Sequence, residues 1–132
     1  MKGKFWRLLG EYDAEATTYS AFAGPKGASP YTPDVDAWLT GLRVVVNRSA
    51  ATTLVNHVQV KLTSTTFTPN SIEVGVQGGG IQTAPALQPE HLDFDVMQPV
   101  KSGVPITLEG RNNTADSPVT VSVMVYGRFE IP

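Results

Sequence analysis

Hydrophobic and polar positions alternate most regularly in the last fourteen residues. Apolar residues fall at Val119, Val121, Val123 and Val125, and the same phase continues through Gly127, Phe129 and Ile131. Thr120, Ser122, Met124, Tyr126, Arg128 and Glu130 lie between them. Side chains on a strand point to opposite faces in turn, so a period of two predicts a long half-buried β-strand over 119–131. That strand runs nearly to the final residue, so the C-terminal segment is expected to be woven into a sheet.

The same period recurs upstream. Residues 36–47 read as a strand with Trp38, Leu42, Val44 and Val46 on one face, against a competing helical turn at 34–38 opened by Pro33. Residues 54–63 carry Val58, Val60 and Leu62 on one side and His57, Gln59 and Lys61 on the other. In 71–77, Ile72, Val74 and Val76 alternate with Ser71 and Glu73, and Gly78-Gly79-Gly80 ends the run. In 91–97, Leu92, Phe94 and Val96 oppose His91, Asp93 and Asp95. Val104, Ile106 and Leu108 predict a further strand, and 111–118 reads as a loop.

The first third is less regular. Residues 1–22 set Phe5, Trp6, Leu8, Leu9, Tyr12, Tyr19 and Phe22 among Thr, Ala and Glu, and predict an N-terminal arm or an edge strand. Gly24, Pro25, Gly27, Pro30 and Pro33 make 23–33 a loop in which no regular element is expected. The body then occupies 34–132.

Seven or eight short strands separated by Gly, Pro, Asn and Ser, with no helical period longer than a turn, predict a single-domain, all-β antiparallel sandwich with an extended N-terminal segment. The long connections at 23–33 and 77–90 favour a jelly roll over an immunoglobulin-like Greek key. The Cys–Trp–Cys pattern of antibody domains is absent, since the chain has no cysteine.

Composition sharpens this reading. A chain of 132 residues is one domain by length, able to hold a core without disulfides. Charged residues are 17%, below the usual ~25%, which suits a β-rich protein whose surface meets other protein. Ten basic against twelve acidic residues give a net charge of −2, and Lys2, Lys4 and Arg7 form the one basic cluster. Nucleic-acid binding through phosphates is therefore not expected. The lack of cysteine removes thiol catalysis and thiolate metal sites. No run approaches the ~18 apolar residues of a membrane span. Phe5–Leu9 is too short for a signal peptide's apolar region, so the chain is expected to be made without processing.

Candidate chemistry is sparse. His91, Asp93 and Asp95 leave one face of a strand about 6.5–7 Å apart per step, a spacing that allows a divalent-cation site, while the plain alternative is a solvated strand face. Gly75–Gly80 lacks the Gly-Lys-Ser/Thr ending of a phosphate loop and reads as a turn. With two histidines and no Gly-x-Ser-x-Gly elbow, no catalytic triad is indicated, and neither enzymatic activity nor a cofactor is expected.

The extended segment 1–22, the low-charge β body and the closing stretch Lys101–Pro132 together carry a resemblance of overall pattern. Within that stretch, residues 104–114 (VPITLEGRNNT) read as a penultimate strand and loop, and residues 118–132 (PVTVSVMVYGRFEIP) as the last strand. In this layout the chain resembles the single jelly-roll proteins that build viral and phage particles. The resemblance implies a virion-located structural subunit: a capsid, capsid-decorating or vertex protein. Its partners would be further copies of itself or other capsid proteins, met through Phe5, Trp6, Leu8, Leu9 and Tyr12. The alternative is a carbohydrate- or receptor-binding sandwich presenting a loop aromatic such as Tyr31 to a glycan. A cupin-like metal enzyme would need more histidines than the chain has.

Overall fold

The computed structural model describes residues 3–14, 18–24, 27–48, 57–77, 90–112 and 121–132. Among them are ten strands and no helix. In chain order they are β1 (Gly3–Ala14), β2 (Ser20–Ala21), β3 (Ala23–Gly24), β4 (Gly27–Ala28), β5 (Ala37–Arg48), β6 (His57–Thr63), β7 (Ser71–Gln77), β8 (Glu90–Val100), β9 (Thr107–Asn112) and β10 (Val121–Ile131). The first sheet has the order β1-β10-β5-β8 and the second β2-β9-β6-β7, and β3 pairs with β4 in a small ribbon. All these pairings are antiparallel. The protein is an all-β sandwich.

The two main sheets enclose one core, supplied by the inward phase of each strand. From the first sheet come Leu9, Leu39, Leu42, Val44, Val46, Val123, Val125 and Phe129. The second sheet and its connections supply Phe22, Val58, Val60, Leu62, Phe67, Ile106 and Leu108. Each fully buried aliphatic or aromatic side chain of this kind contributes about 1.5–3 kcal/mol relative to exposure. The unbroken alternation predicted in β6 and β10 reappears as Val58, Val60 and Leu62, and as Val123 and Val125, all buried.

Two bulges explain where period-two reading loses its phase. On β1 the register shifts between Leu8 and Gly10: Leu8 pairs with Tyr126 and Gly10 with Val125. Leu9 is the extra residue and turns into the core, so the inward phase passes from odd positions, Phe5 and Leu9, to even ones, Gly10 and Tyr12. On β5 the shift lies between Leu39 and Gly41. Leu39 therefore occupies the core position beside Phe129, and Trp38 pairs with Glu130 on the outer side rather than sharing a face with Leu42. The helical turn considered at 34–38 does not form, because a bend at 34–35 leads directly into β5.

Residues 23–33 also depart from expectation. The region holds β3 and β4, paired as Ala23–Ala28 and Gly24–Gly27, and Tyr31 bridges to Ile106. Two-residue strands give no periodic signal, and Pro30 and Pro33 lie outside the paired residues. The β3–β4 ribbon lies against β1: a Cβ on Gly27 would stand 2.9 Å from Gly10 Cα. Only glycine permits that approach. The penultimate strand extends further than predicted, since β9 continues to Asn112.

Candidate functional site on the outer face of the first sheet

Strand register sets the outward residues of the first sheet in three rows. Lys4 of β1 stands beside Glu130 of β10, which stands beside Trp38 of β5. The next row is Trp6, Arg128, Gly41 and Asp95. The third is Leu8, Tyr126, Arg43 and Asp93. Asp93 and Asp95 on edge strand β8 thus end rows that each contain one arginine.

The arginines are held by defined partners. Arg43 donates through Nε and Nη2 to the two carboxylate oxygens of Asp93, at 2.8 and 3.0 Å. This fork-to-carboxylate geometry is directional, and it raises the Arg43 pKa above its ordinary value, with the Asp93 hydrogen bond the leading cause. Arg128 lies across Gly41, where an added Cβ would come within 3.0 Å of its Cζ. Its Nε donates to Thr40 Oγ1 at 3.0 Å and its Nη2 to the Thr40 carbonyl at 2.9 Å. Asp95 lies 3.5 Å from the same Nη2. The bulge at Thr40 and the missing side chain at Gly41 together make the seat for this guanidinium.

Trp6 faces both cations, with Arg43 Cζ 4.7 Å and Arg128 Cζ 5.7 Å from its ring centroid. Lys4 pairs with Glu130 at 3.8 Å. The Glu130 carboxyl is held below its usual value, first by a hydrogen bond from Thr40 and then by the charges of Lys4 and Arg128, against an opposing effect of burial.

The second sheet carries a smaller cluster. The Tyr19 ring lies between Arg111 (Cζ at 4.6 Å) and Lys61 (Nζ at 5.6 Å), and its hydroxyl donates to Glu73 at 3.4 Å. Arg111 donates through Nε to Gln59 at 2.6 Å. Burial, followed by the Glu73 charge, raises the Tyr19 phenol pKa, with Arg111 opposing.

No protein-family model matches this chain, and no curated protein matches it significantly.

The residues singled out by sequence separate into distinct environments. Leu9 and Tyr12 lie in the core. Phe5 is half-buried and stacked on Phe129, with ring centroids 5.6 Å apart. Leu8 is half-buried on the outer face, and Trp6 is exposed. Asp93 and Asp95 share the outer face of β8 as their spacing predicts, and both carboxylates are engaged by arginine. The backbone of His91 pairs with Val45, while its side chain, like that of His57, lies outside the described residues. Among the described residues no three His, Asp or Glu side chains are grouped to hold a metal ion. Tyr31 is half-buried, stacked on Phe129 at 6.1 Å, and its phenol pKa is pushed up by burial first and Asp34 second. Among the described residues no helix is long and apolar enough to cross a membrane.

Sequence reading missed Arg43, Thr40 and Gly41 as a unit with Arg128. Their one local signal is two arginines in the outward phase of strands that are otherwise strongly apolar. The pairing partners lie 50 and 88 residues away in sequence.

Proposed function

We propose that this chain is a structural subunit of a virus or phage particle, a capsid, capsid-decorating or vertex protein, built as a jelly roll and joined to its neighbours by protein–protein contacts. The observation that carries the reading is the order of the strands. With the β3–β4 ribbon set aside, eight strands remain. One sheet takes the first, eighth, third and sixth of them, and the other the second, seventh, fourth and fifth. First pairs with eighth, second with seventh, third with sixth and fourth with fifth. A single long antiparallel ribbon rolled into two facing sheets has this order, and the jelly-roll architecture recurs in viral capsids, lectins and cupins.

Fold alone does not choose among those roles. Two features of this chain support the particle subunit. Charge is low for its size. Arg43, Arg128 and Glu130 of the first sheet are engaged by partners in the same sheet, while Trp6, Leu92 and Met97 at its edges stay exposed to other protein. The alternative, a carbohydrate- or receptor-binding module, has one observation in its favour: Trp6 offers an exposed indole flanked by two guanidinium groups.

Light scattering on size-exclusion peaks, followed by negative-stain imaging, tests the reading. A symmetric multi-subunit species is expected. In Trp6→Ala the assembled species should fall sharply while the melting temperature changes little, because the side chain is exposed. A 14.2 kDa monomer at every concentration, with glycan binding lost in Trp6→Ala, would instead select the binding module.

A further inference from the structure

The exposed large hydrophobic residues among those described are Trp6, Leu92 and Met97, at 36, 47 and 59% exposure. All three lie on the two edge strands of the first sheet, Trp6 on β1 and the others on β8. Among the described residues the central strands of that sheet contribute none, and neither does the second sheet.

The two edges also differ in charge. The β3–β4 ribbon meets β1 at Gly10, and Gly3–Leu8 is the part of β1 beyond that contact. The charged residues in that stretch are Lys4 and Arg7. Along the open part of β8, from Leu92 to Met97, they are Asp93 and Asp95. Lys4 and Asp95 project into solvent, with side chains 60% and 99% exposed. One edge is basic and the other acidic, each carries exposed apolar side chains, and among the described strands neither has a neighbour on its outer side in the first sheet.

We infer that copies of this chain join head to tail through these edges, β8 of one copy pairing with β1 of the next to continue the first sheet across the boundary. This rests on the subunit reading above and specifies its contact. Strand direction fits. Four strands that alternate in direction leave the two edges running oppositely, so a second copy placed alongside in the same orientation presents an antiparallel partner. The two-fold alternatives fit poorly. Pairing β8 with itself brings Asp93 and Asp95 of both copies together on the outer face, and pairing β1 with itself joins two edges whose charges, Lys4 outward and Arg7 inward, are both positive. Like charges directly opposite on paired strands are destabilising.

The register follows from the outward side chains. Trp6 stands opposite Asp95 of the next copy, and Lys4 opposite its Met97. Lys4 then reaches Asp95 on the diagonal and Trp6 reaches Met97, distances that long and aromatic side chains span. On the inner face Phe5 meets Val96, extending the apolar layer. Each junction leaves a free β8 and a free β1 at its outer ends, so the contact repeats and generates a ring or an open filament.

The chain has no cysteine, so a disulfide can be placed cleanly. In Lys4→Cys/Met97→Cys, oxidation should give a ladder of linked multimers on a non-reducing gel, with neither single variant doing so. Asp95→Lys should raise the concentration for half-assembly by about tenfold, and adding Lys4→Glu should bring it back. Circular dichroism and melting of each variant confirm that the fold is intact. Linked dimers in Met97→Cys alone would overturn head-to-tail pairing in favour of a two-fold contact. Assembled particles with neither ladder nor charge rescue would overturn the edge pairing and leave the subunit reading standing. A monomer under all conditions would remove both.

Discussion

The inner faces of the two sheets are alike, and their outer faces are not. Leu39 and Leu42 in the first sheet and Leu62 and Leu108 in the second are equally inaccessible, at 0% exposure each. Outside, the first sheet is built from strands of eleven and twelve residues and carries cross-strand rows that join four strands through Arg43 and Arg128. The second sheet is made of shorter strands, one of only two residues, and its polar contacts centre on the single ring of Tyr19. Burial decides the interior of both sheets in the same way. The outer face is where sequence is free to differ, and there the first sheet carries the more extended set of cross-strand contacts.

Equivalence of the interiors can be broken directly. Leu42→Ala and Leu62→Ala should each cost about 2–5 kcal/mol in denaturant unfolding, since both leave cavities in the same core. A cost at one site several times that at the other would show that the sheets do not share one cooperative core.

The outer faces should diverge. Arg128→Ala should cost about 1–3 kcal/mol, because it leaves the buried Thr40 hydroxyl without its guanidinium partner and empties the seat over Gly41. Arg111→Ala in the second sheet should cost less than about 1 kcal/mol, as its partner Gln59 is half-buried where Thr40 is buried. Equal losses in urea titrations of the two variants would erase the contrast.

The smallest expected effect is on pH dependence. The Glu130 carboxyl titrates below its unfolded value, so the stability it adds is fully present above that value, near 4.3, and is lost as pH falls through the lower folded one. Melting temperature should decline across that acid range, and Glu130→Gln should flatten this part of the profile. An unchanged slope in the variant would assign the acid sensitivity to other carboxylates.

How much of this was legible in the sequence depends on the strand. In β6 and β10 alternation survives unbroken, and the buried residues are those it names. In β1 and β5 a single inserted residue reverses the phase, so Tyr12 rather than Glu11 continues the inward row of Leu9, and Trp38 exchanges sides with Leu39. A bulge is set by the partner strand, which a local pattern does not contain. Asp93 and Asp95 were visible as a pair on one face, but spacing along one strand says nothing of what lies on the next. The arginines that hold them come from distant positions, and the seat of Arg128 depends on a glycine whose contribution is the absence of a side chain.

Pairing of β1 with β10 joins residues 3–14 to 121–131, nearly the full span of the chain. A contact of such high sequence separation has consequences for the order of synthesis. As the polypeptide leaves the ribosome, β1 and β5 emerge early, yet the strand that lies between them is made last. The first sheet closes only after residue 131 has been added, and until then its members present unpaired edges. Chains with such long-range pairing fold slowly and are exposed to aggregation while they wait. A product halted before residue 121 would carry nine of the ten described strands and still lack the centre of its longer sheet. Synthesis of β10 is therefore the event that commits this sheet to its folded state.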